Sequence, residues 1–476
     1  MREKVKGERV NSLRSPCPPA PFCSLLLPFA PFCSLKALVT SLIKMAEKIN
    51  NSSPIWHPFT QMKTAAPPLK VRRGQGIMLE LEDGRQIIDC ISSWWVTIHG
   101  HSHPALANAL FNQAIELEHV IFAGFTHEPA EILARKLLAH LPKSLTRVFF
   151  SDNGSTAVEV ALKMAYQYWY NQGEKQRTKF ISFEGGYHGD TLGAMSVGGT
   201  SPWWQTFKNL MFSTDVVPFP ATFDEDYDVE VSEAHTLEKL TYLLEQEGDR
   251  YAGIFIEPLV QGAAGMRMCR PQFLQALARL AKSYGVLLIY DEVMTGFGRT
   301  GELFACLKSN TSPDLLCLSK GLSGGCLPLA VTLATEKVYQ AFYSDDHNQT
   351  FFHSHSYTGN PLACATGIAS IELLEQNPQA YQKMETLHRH NIEKWLVGHP
   401  KLEHIRICGT IAAMEVKTES QSYLNATGSV LRSRFLDEGF LLRPLGNTIY
   451  LMPPYCITNS ELESIYQAIR RVLDNL

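Results

Sequence analysis

Five short apolar segments dominate the middle of the chain, and each of them ends in polar residues or glycine. The segments are residues 147–150, 180–183, 254–256, 286–290 and 315–318. Stretches with helical periodicity separate several of them, as is typical of parallel strands joined by crossover helices. Because ligands bind beyond the carboxyl ends of the strands in an open parallel sheet, the polar clusters predict one shared site at that edge.

Among the helices predicted between these segments, the one between the third and the fourth has the clearest start and stop signals. Pro271 occupies a first-turn position, and Gly285 follows as a C-terminal stop signal. Apolar residues recur between them at intervals of three and four, at Phe273, Leu274, Leu277, Leu280, Ala281 and Tyr284. The pattern predicts an amphipathic crossover helix.

A chain of 476 residues is long enough for one large domain and a smaller second one. The sequence predicts an α/β protein in which residues 101–374 form the large domain, with a mostly parallel sheet flanked by helices. Residues 45–100 and 375–476 carry hairpin-like and helical patterns of their own. We expect these two segments to build a smaller α+β domain from both chain ends.

Residues 1–44 differ from the rest of the chain. They are rich in Pro, Cys, Ser and Leu, and residues 20–25 recur as residues 30–35. Prolines interrupt the apolar block, and no small-residue cleavage site follows clearly, which argues against a targeting peptide. We interpret the segment as an unstructured extension, or as the product of a start assigned upstream of Met45.

Composition excludes several functional classes. The net charge of -4 provides no basic face for nucleic acid. No apolar run after Met45 approaches the length of a bilayer span, so we expect no membrane anchor. The eleven cysteines are irregularly spaced and form no CxxC pair, which predicts reduced thiols and a cytoplasmic location.

Lys320 and Asp291 are the strongest candidates for chemistry. Lys320 follows an apolar strand and precedes a glycine, where burial would lower the pKa of its amine and make it nucleophilic toward an aldehyde. A carboxylate such as Asp291, at the end of an apolar strand, is costly to bury unless a cation meets it. The protonated ring nitrogen of pyridoxal phosphate is such a cation, whereas the alternative for Lys320 is an ordinary surface lysine.

Two further strand-end clusters suit the same cofactor. Gly154, Ser155 and Thr156 precede a helical run, so free N–H groups and hydroxyls would stand at a helix N-terminus and suit a phosphate. An ordinary helix cap is the alternative. Tyr187 would stack on a pyridine ring, or pack as a strand-end aromatic in the core.

Two other patterns carry weaker hypotheses. Residues 296–301 match GxGxxG, which is typical of dinucleotide-binding oxidoreductases, but no convincing helix follows and no acidic residue lies at the usual distance. His99, His101 and His103 alternate in a pattern that is one form of metal site, but they run into Pro104 without an evident carboxylate partner. We therefore expect no dinucleotide and no metal.

Together these residues resemble the class III aminotransferases of fold type I. The motifs that carry the resemblance are residues 187–190, 291–301, 319–321 and 358–361, and the similarity extends from about Trp56 to the C-terminus. Ornithine- and 4-aminobutyrate-specific members usually have glutamate where this chain has Ala263. Residues 57–62, 92–95, 260–268, 443–446 and 449–454 are most similar to members that serve biotin biosynthesis.

The resemblance implies pyridoxal 5′-phosphate as cofactor and a ping-pong reaction in a homodimer with shared active sites. Lys320 would form the Schiff base and shuttle the proton, Asp291 would pair with the ring nitrogen, and Tyr187 would lie against the ring. Gly154 and Ser155 would hold the phosphate, helped by Ser356 from a neighbouring subunit.

The resemblance also implies a set of substrate-binding residues. Trp94 and Trp95 would wall an apolar slot for a long carbon chain, and Arg443 would clamp a substrate carboxylate. Core packing is the alternative for the tryptophans, and a surface ion pair is the alternative for the arginine. The whole predicted set is Phe59, Trp94, Trp95, Ser354, Arg443 and Tyr450.

The substrates implied are S-adenosylmethionine as amino donor and 8-amino-7-oxononanoate as acceptor. Phe59 stands where many members have Tyr, and Ser356 stands where Thr is frequent. Phe59, together with residues 352–357, resembles the corresponding residues of relatives that use lysine as the amino donor. The paired tryptophans and Tyr450 favour S-adenosylmethionine, and lysine or another ω-amino acid is the alternative. A binding protein that keeps the fold without turnover is the rival from another class.

Overall fold

The computed structural model describes residues 53–199, 202–223, 228–418 and 426–476. The predicted extension at residues 1–44 therefore lies outside the described residues. The chain divides into two compact units, Met1–Leu69 and Lys70–Leu476. The described part of the first unit, residues 53–69, consists of turns and extended chain and includes Phe59, whose φ of 49° is left-handed.

The second unit contains sixteen strands and thirteen labelled helices among its described residues. The strands are β1 (Val71–Gln75), β2 (Met78–Leu81), β3 (Gln86–Asp89), β4 (Leu145–Ser151), β5 (Lys179–Phe183), β6 (Asp215–Val217), β7 (Tyr251–Ile256), β8 (Val260–Gln261), β9 (Arg267–Met268), β10 (Leu287–Asp291), β11 (Leu315–Leu318), β12 (Ala330–Thr335), β13 (Leu402–Cys408), β14 (Ile411–Val416), β15 (Phe440–Leu441) and β16 (Thr448–Leu451). The helices are α1 (Pro104–Glu116), α2 (Glu128–His140), α3 (Gly154–Asn171), α4 (Leu192–Ser196), α5 (Val229–Glu247), α6 (Pro271–Ser283), α7 (Ala305–Lys308), α8 (Glu336–Gln340), α9 (Pro361–Gln376), α10 (Gln379–Gln382), α11 (Met384–Trp395), α12 (Ala426–Asp437) and α13 (Asn459–Asp474). Short 3₁₀ segments lie at Pro202–Leu210, Gly248–Arg250, Lys320–Ser323 and His347–Gln349, and a kinked turn lies at Ser92–Trp95.

The central sheet has seven strands in the order β4-β12-β11-β10-β7-β5-β6. The five predicted strands are confirmed as β4, β5, β7, β10 and β11, and the predicted mostly parallel α/β fold is confirmed with them. β12 was not predicted; it lies antiparallel between β4 and β11, so those two strands still point the same way. The short edge strand β6 was not predicted either.

Helices cover both faces of this sheet. In β10, Leu288 and Tyr290 belong to the apolar cluster that contains α6, whereas Leu287 and Ile289 belong to the cluster that contains α3. Successive side chains of a strand point to opposite faces, so a strand covered on both sides must be apolar throughout. The continuous apolar segments in the sequence have this origin.

The predicted crossover helix is confirmed as α6. Its buried residues are Phe273, Leu274, Leu277 and Ala281, with Pro271 in the first turn. Gly285 lies two residues beyond its end at a φ of 66°, a left-handed conformation that favours glycine. The helix therefore begins and ends where the sequence signals place its ends.

Both ends of the second unit contribute to small sheets. β15 pairs in parallel with β3, so residues near positions 88 and 440 share the sheet β1-β2-β3-β15. β13, β14 and β16 form a separate antiparallel sheet. The pairing of β3 with β15 supports the proposal of a small domain built from both chain ends, and its boundaries at residues 45–100 and 375–476 stay a prediction.

Two chemical features of the described residues bear on the sequence analysis. The eight cysteines that the structure describes are all unpaired thiols. Within the same part of the chain, every helix is too short or too polar to traverse a lipid bilayer.

Arg406 links the antiparallel sheet to the loop between β8 and β9. Its buried guanidinium donates to the carbonyl oxygens of Gly265, Met266 (2.9 Å) and His404 (2.6 Å). It also contacts a Glu415 carboxylate oxygen at 2.9 Å. A buried charge with this many partners cannot be removed without leaving carbonyls and a carboxylate unpaired.

We expect Arg406→Met to lower the free energy of unfolding by about 3–5 kcal/mol, because it leaves those buried acceptors and Glu415 without their donor. Urea denaturation followed by far-ultraviolet circular dichroism measures the change. The matched control is Arg471→Met, which breaks a largely exposed pair with Glu438 and should cost less than about 1 kcal/mol. Equal effects of the two substitutions would contradict the role assigned to Arg406.

Candidate active site

A cavity of about 480 Å³ opens at the carboxyl end of the central sheet. Residues from the ends of five strands line it: Gly154 and Ser155 after β4, Tyr187 and His188 after β5, Glu257 after β7, Asp291 at the end of β10, and Ser319 and Lys320 after β11. The carboxyl ends of parallel strands meet at one edge, which explains why residues distant in sequence converge here.

Lys320 is the first residue of a 3₁₀ turn directly after β11, and its backbone φ of 45° is left-handed. Its Nζ lies 5.0 Å from the centre of the Trp95 ring. Burial lowers the pKa of the amine, and the nearby carboxylates of Asp291 and Glu257 only partly oppose that effect. A larger fraction of the amine is therefore unprotonated and nucleophilic than in a solvated lysine.

Asp291 ends β10 and is almost completely buried. Its Oδ2 lies 2.7 Å from Nδ1 of His188, and its Oδ1 accepts a hydrogen bond from the Val293 N–H. Burial acts to lower the pKa of the His188 imidazole, but the hydrogen bond and charge of Asp291 outweigh burial and raise it. The pair holds the carboxylate in one orientation, with lone pairs left for a cation in the cavity.

Glu257 stands beside Asp291, because β7 and β10 pair in parallel with Ile256 opposite Tyr290. Its carboxylate accepts hydrogen bonds from the N–H groups of Tyr187 (3.0 Å) and Gly262 (2.9 Å). Burial raises the pKa of this carboxyl to about 7, and the charge of His188 opposes the rise.

The N-terminus of α3 lines the cavity just beyond the end of β4. Asn153 caps the helix by accepting from the Thr156 N–H, and the N–H groups of Gly154 and Ser155 at the start of the helix have no intrahelical acceptor. Ser155 Oγ accepts from the Asp190 N–H at 2.9 Å, so the hydroxyl hydrogen is free to donate. A Cβ at Gly189 would lie 1.8 Å from that Oγ, so only glycine lets the two loops approach this closely.

Tyr187 lines the same cavity, with its ring stacked on Trp204 at a centroid distance of 6.2 Å. Its hydroxyl donates to Asp190 at 3.1 Å. Burial raises the pKa of the phenol, and the charge of Asp190 adds to the effect. The ring is thus fixed at the cavity wall and stays protonated at neutral pH.

Trp95 forms another wall of the cavity; it is buried and donates from Nε1 to the Tyr450 hydroxyl at 3.0 Å. The buried Arg299 donates to the Trp95 carbonyl oxygen and to that of Pro453. Tyr450 therefore stands behind Trp95 and does not line the cavity itself.

The turn that carries Trp95 has an unusual backbone. Ser92, Ser93 and Trp95 have φ values of 51°, 61° and 69°, in the left-handed region that residues other than glycine rarely adopt. The fully buried Asp89 holds this turn, since its Oδ2 accepts from the Ser93 hydroxyl and lies 2.9 Å from the His101 ring. A strained conformation persists where surrounding contacts determine it this tightly.

The other predicted substrate residues lie outside the cavity lining. Arg443 places its guanidinium 4.8 Å from the centre of the Trp94 ring, which is partly exposed. Ser354 and Ser356 lie on an exposed segment before α9, and the Ser354 hydroxyl is 3.1 Å from that of Thr358. Phe59 belongs to the first compact unit and is exposed.

The glycine-rich and histidine-rich patterns have structural explanations. Residues 296–301 form turns in which the Gly298 N–H donates to the Leu303 carbonyl, and the helix that follows, α7, has only four residues. The three alternating histidines each bond to a different partner: His99 to Ser370, His101 to Asp89 and His103 to the Ala105 N–H. Neither pattern presents a set of groups to one ligand.

The sequence alone predicts no role for several residues of the cavity. Glu257 and His188 were recognised only as polar strand-end residues, although a charged group after a fully apolar strand is itself a signal. Met294 and Cys326 also line the cavity. No pattern in the sequence distinguishes these last two from core residues.

Comparison with known proteins bears on this site. Residues 60–473 match the family model described as aminotransferase class-III. An adenosylmethionine-8-amino-7-oxononanoate aminotransferase of Synechococcus elongatus is 53% identical over 422 residues, covering 89% of this chain and 99% of that protein. The protein of the same description from Geobacter sulfurreducens is 40% identical over 431 residues, covering 88% of this chain and 95% of that protein.

Solved structures agree with these sequence relatives. The crystal structure of adenosylmethionine-8-amino-7-oxononanoate aminotransferase from Methanocaldococcus jannaschii has a TM-score of 0.83 and 35% identity, covering 91% of this chain and 99% of that one. A PLP-bound amine transaminase from an uncultivated Pseudomonas species has a TM-score of 0.83 and 29% identity, covering 90% and 99% of the two chains. By sequence and by fold, this chain belongs to the class-III aminotransferase family.

Proposed function

We propose that this aminotransferase uses pyridoxal 5′-phosphate to move the amino group of S-adenosylmethionine to 8-amino-7-oxononanoate, giving the 7,8-diaminononanoate of biotin biosynthesis. The observation that carries the proposal is the meeting of the Lys320 amine, the Asp291 carboxylate and the N-terminus of α3 in one cavity. The printed names of the relatives supply the substrate pair.

The residues present fit the cofactor at both of its charged ends. The helix N-terminus with the Ser155 hydroxyl offers N–H and O–H donors to a phosphate, and Asp291 offers a buried carboxylate to a protonated ring nitrogen. Lys320, with its lowered pKa, would hold the aldehyde carbon through Nζ. Pyridoxal phosphate, when bound, supplies an electron-withdrawing ring that stabilises negative charge on the reacting carbon.

The side chains that line the cavity would each have a separate role in the reaction. Lys320 Nζ would take the proton from one carbon and return it to another, a role that typically supplies about 10²- to 10⁴-fold in rate. His188, by holding Asp291 Oδ2, would keep that carboxylate aimed at the ring nitrogen. Tyr187, fixed at the wall, would lie against the ring.

A second subunit would complete the phosphate site through Ser356. That residue is exposed in the described chain and does not line the cavity, so its proposed role requires the segment of a neighbouring copy. We therefore propose a homodimer with shared active sites and a ping-pong cycle, in which the donor's keto product leaves before the acceptor enters.

Among the proposed substrate contacts, Trp95 lines the cavity. Trp95, supported by Tyr450, would present an apolar face to the carbon chain of 8-amino-7-oxononanoate. Arg443, oriented by stacking on Trp94, would bind the substrate carboxylate in bidentate fashion. Phe59 and Ser354 are proposed as further substrate contacts.

The first test replaces the amine. We expect Lys320→Ala to reduce transamination by at least about 10²-fold, because the base that moves the proton is lost. Borohydride reduction of the cofactor-loaded wild type followed by peptide mapping should label Lys320. Lys308→Ala is the matched control, since that amine is partly buried but bonds to Thr300 and Glu385 away from the cavity. Label on another lysine, or full turnover without Lys320, would refute the assignment.

The second test separates the amino donors. Purified protein is incubated with 8-amino-7-oxononanoate and either S-adenosylmethionine or lysine, and diaminononanoate is measured by mass spectrometry. We expect product with S-adenosylmethionine, because the Trp95 ring, which lines the cavity, suits its sulfonium cation. Product with lysine alone would move the proposal to the lysine donor, and an unchanged cofactor spectrum with every donor would favour a binding protein without turnover.

The third test concerns Arg443. Losing a charge-assisted hydrogen bond to a carboxylate costs about 1.5–3 kcal/mol, so Arg443→Met should raise KM for 8-amino-7-oxononanoate by about 10- to 100-fold. The rate of the half-reaction with the donor alone should change little. Steady-state and single-turnover kinetics distinguish these effects, with Arg471→Met as the control. A wild-type KM in the Arg443 variant would exclude the clamp.

A further inference from the structure

Two strand-end carboxylates of the cavity, Asp152 and Glu257, have no role in the proposed reaction, and of these Glu257 is the buried one. It directly follows β7, which lies between the strand that precedes His188 and the strand that ends in Asp291. The register of β7 and β10 sets the two carboxylates side by side at the same edge. Two adjacent buried carboxylates repel each other, and the arrangement is stable only if cations or protons compensate.

The hydrogen bonds of Glu257 join two loops. Oε1 accepts from the Tyr187 N–H and Oε2 accepts from the Gly262 N–H, so one side chain joins the loop after β5 to the loop between β8 and β9. The Gly262 position is tightly packed, because a Cβ there would lie 3.2 Å from both Met294 Cε and Trp95 Cη2. A shift of this loop would therefore move the Trp95 wall.

We infer that Glu257 is a positioning residue of this cavity, which aligns Tyr187 with the Trp95 wall and, through its negative charge, favours the protonated form of the bound cofactor. The inference rests on the proposed function for the identity of that cofactor. It concerns a residue that acts through others and through charge, without taking part in proton transfer.

The ionisable groups that face Glu257 come from three neighbouring elements. They are Tyr187 and His188 after β5, Asp291 at the end of β10, and Lys320 after β11. The pKa of Glu257 is raised to about 7 by burial, so its negative charge is present above that pH and is lost below it. Its charge acts on Lys320 in the direction that favours the protonated amine, as the charge of Asp291 does.

Glu292 provides a matched control within the same fold. It is fully buried, burial raises its pKa to about 7, and it accepts two backbone N–H groups, from Ala305 (2.6 Å) and Cys306 (2.8 Å). It does not line the cavity. The two carboxylates thus share burial and hydrogen bonding and differ in access to the cofactor.

The decisive measurement is the pH midpoint of the visible absorbance change of the bound cofactor. We expect Glu257→Gln to lower this midpoint by about one pH unit, because an anion beside a protonated group is lost. Turnover should fall about tenfold or more, since the Gln amide can accept only one of the two N–H groups and the loops shift. Glu292→Gln should lower the melting temperature of the cofactor-free protein and leave the midpoint unchanged.

Glu257→Asp keeps the charge but withdraws it by one methylene, so its midpoint should lie between those of the wild type and Glu257→Gln. This variant decides the question if Glu257→Gln does not fold. A variant midpoint equal to that of the wild type would overturn the inference, even if the melting temperature fell. A wild type whose visible spectrum does not respond to added pyridoxal phosphate would instead refute the proposed function, and the inference with it.

Discussion

Desolvation of charge at the end of a fully covered sheet is the constraint on which this structure depends. The central strands are apolar on both faces, yet their carboxyl ends present Asp291, Glu257 and the Lys320 amine to one cavity. An isolated charge in such a place would be neutralised by a shifted pKa. The protein meets this cost with paired groups: His188 against Asp291, and backbone N–H groups against Glu257. The opposing charges make the cavity suitable for a ligand that carries both a cation and an anion.

The shape of the cavity depends on distant parts of the chain. Trp95, from the N-terminal side, is held by the Tyr450 hydroxyl on β16 and by Arg299 from the turn after β10. Asp89 and its partners keep the Trp95 turn in a left-handed backbone conformation. The charged groups of the cavity thus stand at the ends of central-sheet strands, whereas its Trp95 wall is held in place by residues of the two small sheets, Asp89 on β3 and Tyr450 on β16.

Much of the fold could be predicted from local patterns, and the exceptions have physical reasons. The five parallel strands can be predicted because each is apolar throughout and ends in polar residues or glycine. The helix α6 can be predicted because its apolar residues are periodic and lie between a proline and a glycine. β12 is also preceded by a proline, Pro328, but Thr332 interrupts its apolar run and Thr335 leads directly into α8. Lys320 and Asp291 could be proposed from their strand-end positions. The contacts of Glu257 could not, because they depend on backbone N–H groups that sequence does not reveal.

The antiparallel strand β12 has a consequence for how the chain assembles. β4 lies at the edge of the sheet and pairs only with β12 among the described strands. Residue 151 therefore cannot form its strand pairing until the segment near residue 330 is present. Contacts so far apart in sequence form late, because the entropy of closing a long loop opposes them. During synthesis at the ribosome, β5, β7, β10 and β11 can associate in the order in which they emerge, while β4 and the start of α3 remain undocked. The part of the cavity formed by the α3 N-terminus can therefore form only after β12 has been translated, and the Trp95 wall only after β16, which carries Tyr450.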